Sequence, residues 1–278
     1  MKIRIKAILS RLVLTDYLIF GGGLVVVLAI ALGAWLMPKP DIALSGQFSA
    51  IRDRGALRVG IHSGIPGLAY TGDTIETVFG LEPDIGRAVA MRLFGEEKIE
   101  FVEVNQNSKG PKLNMDEMDI CVAQYVSDSE SRFAFSKPYF TDQAKLIVRR
   151  ETFVAPQSLA GQTIGILKRA GAGTAISAWF DRNRVEVQFA TFQGIPDMID
   201  ALRDGRIAAF GLENSLLINY VGEGMIALPD SLGDIHYAIA VRKEDSDLLA
   251  LCDDTMEKLI SSGVLDQLKA AWNLAGQE

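Results

Sequence analysis

No charged residue interrupts the stretch from Tyr17 to Met37 (YLIFGGGLVVVLAIALGAWLM), and this divides the chain between two solvents. As a helix rising about 1.5 Å per residue, the stretch is long enough to cross a hydrocarbon core of about 30 Å. Lys2, Arg4, Lys6 and Arg11 precede it and only Lys39 follows closely. The positive-inside rule therefore keeps residues 1–16 in the cytoplasm as a short tail and places everything after Pro38 outside. The competing reading is a cleaved signal peptide, with Ala29-Ile30-Ala31 as its small-residue cleavage site. The apolar run is longer than a typical signal core, which favours a retained anchor over 17–37. A bacterial lipid anchor needs a cysteine just after the run, and the only cysteines are Cys121 and Cys252.

The net charge of −7 conceals an asymmetry, because the tail is basic. Without it the remainder stands near −10, and no basic patch follows Arg11. Phosphate backbones are bound by clustered Lys and Arg, so an acidic body argues against nucleic acid as a partner. Cys121 falls in an apolar strand-like run and Cys252 on the apolar face of a late helix, which reads as two buried thiols rather than a disulfide.

Residues 38–50 (PKPDIALSGQFSA) have the Pro, Gly and Ser content of a linker. Beyond them strand and helix patterns alternate. Leu57–Ile61 reads as a buried strand. Pro83 and Gly95 bracket a helix with Ile85, Ala88, Val89 and Leu93 on its apolar face. Strand-like runs follow at Ile99–Val104, Met118–Ala123, Leu146–Val148, Thr163–Leu167, Val185–Ala190, Ile207–Leu212 and Tyr237–Val241, with helical patterns between several of them, including Pro196–Arg203. Two helices close the chain. Leu248, Leu249, Cys252, Met256, Leu259 and Ile260 line the first, Gly263 ends it, and Val264–Trp272 forms the second. Such alternation predicts an α/β architecture with largely parallel sheets.

Several chemistries lack their parts. His62 and His236 are the only histidines, which removes zinc-protease motifs and histidine metal clusters. Neither a G-x-S-x-G elbow nor a C-x-x-C pair occurs. The segment Lys168-Arg169-Ala170-Gly171-Ala172-Gly173-Thr174 follows a strand and precedes the helical run Ala175–Phe180. It has neither the Gly-Lys-Ser/Thr ending of a P-loop nor the third glycine of a dinucleotide fingerprint. It remains either an ordinary tight turn or a helix start whose free N–H groups, those of Gly173 and Thr174 among them, hold a carboxylate.

A set of short segments then appears in a familiar order. Ile51-Arg52-Asp53-Arg54-Gly55 leads into Leu57-Arg58-Val59-Gly60, and Gly80-Leu81-Glu82-Pro83-Asp84 opens the first helix. Phe135-Ser136-Lys137-Pro138-Tyr139, Ser158-Leu159-Ala160-Gly161-Gln162, Ala201-Leu202-Arg203-Asp204-Gly205-Arg206 and the run from Tyr237 to Lys243 follow. From Ile51 to Trp272 the chain resembles the periplasmic-type solute-binding proteins that serve ABC importers of polar amino acids. The first helix start matches that family's Gly-Phe-x-x-Asp, and 135–139 its FS-x-PY signature.

The resemblance implies a two-lobed, type II periplasmic-binding-protein-like α/β fold with two hinge strands, near Lys145–Arg149 and His236–Ala240. Lobe 1 combines 51–147 with 237–278, and lobe 2 spans 148–236. Lobes of this kind close on ligand by hinge bending. In the family an acid of the second lobe holds the ligand's amine. Glu213 stands at that place, with a helix N-cap as its alternative role. An arginine several residues before FS-x-PY normally holds the carboxylate. Here Ser129 or Glu130 occupies its place, and Arg132 is the only basic residue in the segment, either a ligand contact or a surface arginine. The strand end Ala123–Tyr125, with the Gln124 amide, corresponds to the family's ligand-contacting strand end. His62 either faces the cleft or caps its strand, and Tyr70 either stacks on ligand or packs in the core.

The expectation is a membrane-tethered solute-binding subunit of an ABC importer, displayed outside the cytoplasm. It binds a small polar, amino-acid-like ligand between its lobes and has no cofactor and no enzymatic activity. Its partners are that ligand, the importer's membrane subunits and the bilayer itself. The alternatives are an anchored sensor or assembly protein on a degenerate version of the fold, and a dehydratase-type enzyme using Glu213 or His62.

Overall fold

The computed structural model describes residues 46–72, 77–127, 132–152, 155–168, 170–222 and 224–275. The tail at 1–16, the apolar run at 17–37 and the linker up to residue 45 lie outside them. Among the described residues no helix is long and apolar enough to cross a membrane. Residues 46–50, read as the end of a linker, form the first turns of helix α1 (Gly46–Arg54).

Lobe 1 is built on strand β1 (Leu57–Ile61), whose side chains are almost all buried. It lies between β4 (Ile99–Glu103) and β5 (Ile120–Val126), parallel to both. A short hairpin, β2 (Tyr70–Thr71) with β3 (Val78–Phe79), leads into helix α2 (Leu81–Phe94). Ile85, Ala88, Val89 and Leu93 recur at helical spacing and are all buried, as the sequence predicts. Glu82 and Asp84 in the first turn suit the positive end of the helix dipole. Gly95 closes the helix in the left-handed conformation at φ 77°, its N–H donating to Met91 O at 2.8 Å. Helix α3 (Lys109–Asn114) is a short connector before β5.

Lobe 2 repeats the plan. Strand β7 (Thr163–Leu167) lies between β8 (Gln188–Phe192) and β9 (Ala209–Glu213), again parallel to both. Helices α4 (Gly171–Arg182) and α5 (Ile195–Arg203) pack on it. A one-turn helix α6 (Leu217–Tyr220) and strand β10 (Met225–Ala227) follow β9.

What joins the lobes is β6 (Phe133–Arg149), a strand of 17 residues. Its first part pairs antiparallel with β11 (Asp234–Arg242), from Phe133↔Arg242 to Gln143↔Asp234. From Ala144 onward it pairs with β9, beginning at Ala144↔Glu213, and with β10. The change of partner falls between Gln143 and Ala144, beside Gly233, whose carbonyl accepts the Ala144 N–H at 2.9 Å. This lies just ahead of the Lys145 and His236 expected from the resemblance. Apart from the β2–β3 hairpin, the described strands make one nine-stranded sheet, in which β11 and β6 stand between the two parallel cores. The expectation of largely parallel sheets therefore needs correction: each lobe's core is parallel, and every pairing along β6 is antiparallel. Hydrophobic periodicity marks a buried strand and carries no information on its direction.

Helices α7 (Ser246–Ser261) and α8 (Val264–Ala271) close the chain, α7 packing on β6 and on α2. Leu248, Cys252, Met256 and Leu259 are buried, whereas Ile260, expected on the same face, is 45% exposed. The inward stripe runs instead through Leu251 and Thr255. Both cysteines are buried and free.

Candidate functional site

Several buried polar groups, Gln124, Glu82, Lys109 and Glu213 among them, gather around the carboxyl ends of β5 and β9, the position where open α/β sheets hold ligands. At the end of β5, Gln124 adopts φ 47°, unusual for a side chain of its size. The pairing of β11 with β5 slips at this point, between Ala238 and Ala240, so the strand bulges around Gln124. Its neighbours hold the residue by every polar group it has. The Gln124 N–H donates to Glu82 Oε1 at 2.9 Å, and the side-chain amide donates to Glu82 Oε2. The amide oxygen meets His62 Nδ1 at 3.0 Å, and the backbone carbonyl accepts Lys109 Nζ at 2.9 Å. Lys109 also donates to Ala123 O at 2.9 Å, and its ammonium lies 4.6 Å from the centre of the Tyr125 ring. Strain of this kind persists only where the surroundings over-determine it.

Tyr139 belongs to the same group. Opposite Tyr237 and Ala238, β6 carries one residue too many, and that residue is Tyr139. The preceding Pro138 has no N–H to give a ladder, which suits a bulge. The bulge turns Tyr139 inward, where its hydroxyl donates to Glu82 Oε1 at 2.5 Å. Glu82 thus collects three donors while fully buried. Burial pushes its carboxyl up to about 7, against the pull of Tyr139 and Gln124. Burial also brings the Lys109 ammonium down to about 8, opposed by the charges of Glu82 and Glu213. His62 is lowered, again chiefly by burial, and its Nδ1 is the donor toward the Gln124 oxygen.

In lobe 2, Glu213 ends β9 and is 4% exposed. It caps the following 3-10 turn by position, yet its side chain makes no bond to that turn. Its Oε1 instead accepts the Ala172 N–H at 3.1 Å, in the first turn of α4. Burial raises its proton affinity, and the Ala172 bond works against this. Of the free donors opening α4, Ala170 gives its N–H to Leu167 O and Ala172 to Glu213. Gly173 is buried in that turn, and Thr174, exposed, stands one residue beyond the orphan donors. Gly171 is required by close approach: a Cβ there would lie 2.6 Å from Ile235 Cγ2 and 2.8 Å from Val126 Cγ2.

At the hinge, Asp142 binds its neighbours together. Its carboxylate accepts the Ser215 hydroxyl at 2.6 Å and the Tyr237 hydroxyl at 3.1 Å. Across the lobes, Asn219 Nδ2 donates to Gly64 O at 3.1 Å.

Of the seven expected site residues, the structure brings His62 and Gln124 into contact and places Glu213 within electrostatic reach of the same cluster through Lys109. Gly173 lies in the helix turn next to the Glu213 carboxylate's partner, with Thr174 beside it. Arg132 is exposed at the start of β6 and makes no ion pair among the described residues. Tyr70 is 62% exposed on the β2–β3 hairpin, which overturns core packing as its role. Glu82, Lys109, Tyr139 and Asp142 are not among the residues the sequence singles out, because their burial arises only when separate elements meet. One signal was present for Lys109: it stands four residues before Leu113, and the two share the inward face of α3. Among the described residues no group of three or more His, Cys, Asp or Glu side chains gathers to hold a metal ion.

Two parallel α/β cores joined through a pair of antiparallel strands, with buried charge where the strands of both cores end, define the architecture of a two-lobed periplasmic binding protein. The chain belongs to the bacterial extracellular solute-binding proteins, family 3, whose sequence profile matches residues 57–275. It is 24% identical over 254 residues to the L-cystine-binding protein TcyJ of Escherichia coli (strain K12), covering 88% of this chain and 92% of that one. It is 27% identical over 210 residues to a probable histidine-binding protein of Neisseria gonorrhoeae, covering 72% and 76%. Among solved structures, the solute receptor for L-cysteine of Neisseria gonorrhoeae has a TM-score of 0.66 at 22% identity, covering 83% of this chain and 95% of that one. An arginine-binding protein mutant from T. maritima has a TM-score of 0.63 at 24% identity, covering 81% and 98%.

Proposed function

We propose that this chain is the extracytoplasmic solute-binding subunit of an ABC importer and captures a small, polar, amino-acid-like ligand between its lobes without altering it. The observation that carries the reading is the family match over 57–275, together with buried charges of both signs at the carboxyl ends of β5 and β9. Relatives named for cystine, histidine and glutamine binding support the ligand class. In this reading lobe 1 is 51–147 with 237–278, and lobe 2 is 148–236. Glu213 receives the ligand's cationic group. The helix start faces the anionic group through the free N–H of Gly173, with the exposed Thr174 beside it and Arg132 adding attraction from the rim. Gln124 and His62 line the lobe 1 wall, and Tyr70 stacks at the mouth. The uncharged run at 17–37 holds the protein in the membrane with residues 1–16 in the cytoplasm, and the importer's membrane subunits read lobe closure.

Titration calorimetry of the full chain in detergent with L-cystine, L-cysteine, L-histidine, L-glutamine and L-arginine tests the reading. Saturable binding of at least one, at one ligand per chain, is expected; silence across all five overturns it.

A further inference from the structure

Three buried cations stand out among the described residues: Arg92, Arg242 and Lys109. Two of them have a carboxylate partner. Arg92 pairs with Asp254, and Arg242 pairs with Asp245 at 2.7 Å. Lys109, 6% exposed, has no carboxylate within salt-bridge distance among the described residues. Buried charges in folded proteins are ordinarily paired, since an unpaired one costs several kcal/mol.

The geometry around Lys109 shows what is missing. An ammonium carries three protons. Two are taken by the carbonyls of Ala123 and Gln124, and the Tyr125 ring covers one flank. Among the described residues no oxygen takes the third. The two acids whose charges act on Lys109 are Glu82 and Glu213. Glu82 is already engaged by Tyr139 and twice by Gln124. Glu213, at the strand end of the other lobe, turns one oxygen to the Ala172 N–H. The two carbonyls that hold Lys109 belong to the carboxyl end of β5, where a ligand of this architecture sits.

We propose that Lys109 is the anion anchor of the cleft: its third proton receives the carboxylate of a zwitterionic ligand whose cationic end faces Glu213. This deepens the solute-binding reading and rests on it. A floor lysine supplies from lobe 1 the positive charge that the loop before Phe135 presents only as Arg132, exposed at the rim. The ammonium is a point charge without the planar fork of a guanidinium, so this anchor fixes the charge of its ligand's anionic group more strictly than its orientation. The same placement disfavours a ligand whose anionic end is esterified or amidated, because the third proton then faces a neutral group in a buried site.

The test compares each of the five amino acids with its methyl ester, by calorimetry on the full chain in detergent, for the wild type, Lys109→Met and Lys109→Gln. Lys109→Gln keeps a donor for the Ala123 and Gln124 carbonyls, Lys109→Met removes donor and charge together, and the unfolding midpoint of each checks that the fold is kept. For the amino acid that binds most tightly, the wild type prefers the free acid to the ester by roughly 10- to 100-fold, as a charge-assisted bond in a buried site warrants. Both variants lose that same factor for the acid and bind the ester as the wild type does. The proposal is overturned if the wild type binds acid and ester equally, if the variants bind the acid unchanged, or if they lose acid and ester alike, which marks a purely structural lysine. Wild-type silence toward all five amino acids is a different failure, that of the solute-binding reading itself.

Discussion

Glu82 is kept in the fold by three donors and opposed by its own burial, and the balance leaves its carboxyl at about 7. A carboxyl raised above its ordinary value holds a proton in the folded chain that the unfolded chain releases. The stability this proton contributes is complete below the unfolded value near 4.5 and is lost as pH rises through about 7. Lys109 behaves in the opposite sense. Lowered to about 8, it contributes fully above its ordinary 10.5 and loses that contribution as pH falls through 8. Around neutral pH each of the two is therefore charged at a cost. Glu82→Gln removes the carboxyl's part while keeping an oxygen for the Tyr139 hydroxyl. In urea unfolding at pH 5 and pH 7.5, the wild type is expected to lose up to about 3 kcal/mol more than Glu82→Gln over that interval. Parallel changes in the two proteins would contradict the assignment. Asp142 and Glu213, also raised by burial, are common to both proteins and cancel in the comparison.

At the scale of elements, the start of α2 shows how backbone positions the site. The Leu81 and Glu82 N–H groups donate to Gly67 O and Leu68 O, both at 3.0 Å, so the loop after β1 caps the helix that carries Glu82. Gly80 makes this possible. Its φ is 130°, and a Cβ there would lie 2.3 Å from Leu68 O. Gly80→Ala is expected to cost about 3 kcal/mol or more, since both the backbone conformation and an unyielding carbonyl oppose it. Gly95→Ala, at the other end of the same helix with open space around it, is expected to cost about 1 kcal/mol. Urea unfolding of the two variants checks the contrast, and equal losses would contradict it. Strands whose apolar run coincides with their pairing, Leu57–Ile61 and Thr163–Leu167, are legible in the sequence to the residue. The strand expected at Val185–Ala190 pairs at Gln188–Phe192 instead, because Val185 and Val187 pack on the core from outside the ladder. Only Leu146–Val148 signals β6. Its first half carries the exposed Lys137 and Pro138 and a bulge, which erase the alternation that marks a strand.

At the scale of the molecule, the family resemblance reaches further than periodicity does. Seven weak segments in order point to the family and its two lobes, whereas no window of apolar spacing reveals that β6 leaves β11 for β9 at Ala144. The site divides in the same way. Glu213 is legible as an acid at a strand end, and Gln124 and His62 as polar residues on the facing wall. Lys109 and Glu82 are invisible locally because their burial depends on β5, β6 and α2 meeting around Gln124. The hinge residue Asp142, bound to Ser215 and Tyr237, and the contact of Asn219 with Gly64 then set how the lobes face each other. Ligand held between lobes must shield backbone on both sides at once. Hydrogen exchange of the full chain, with and without the amino acid that binds most tightly, measures this directly. Slowed exchange at 123–125 in lobe 1 and at 170–173 in lobe 2 together is expected, while protection confined to one lobe, or to neither, would contradict ligand capture between the lobes.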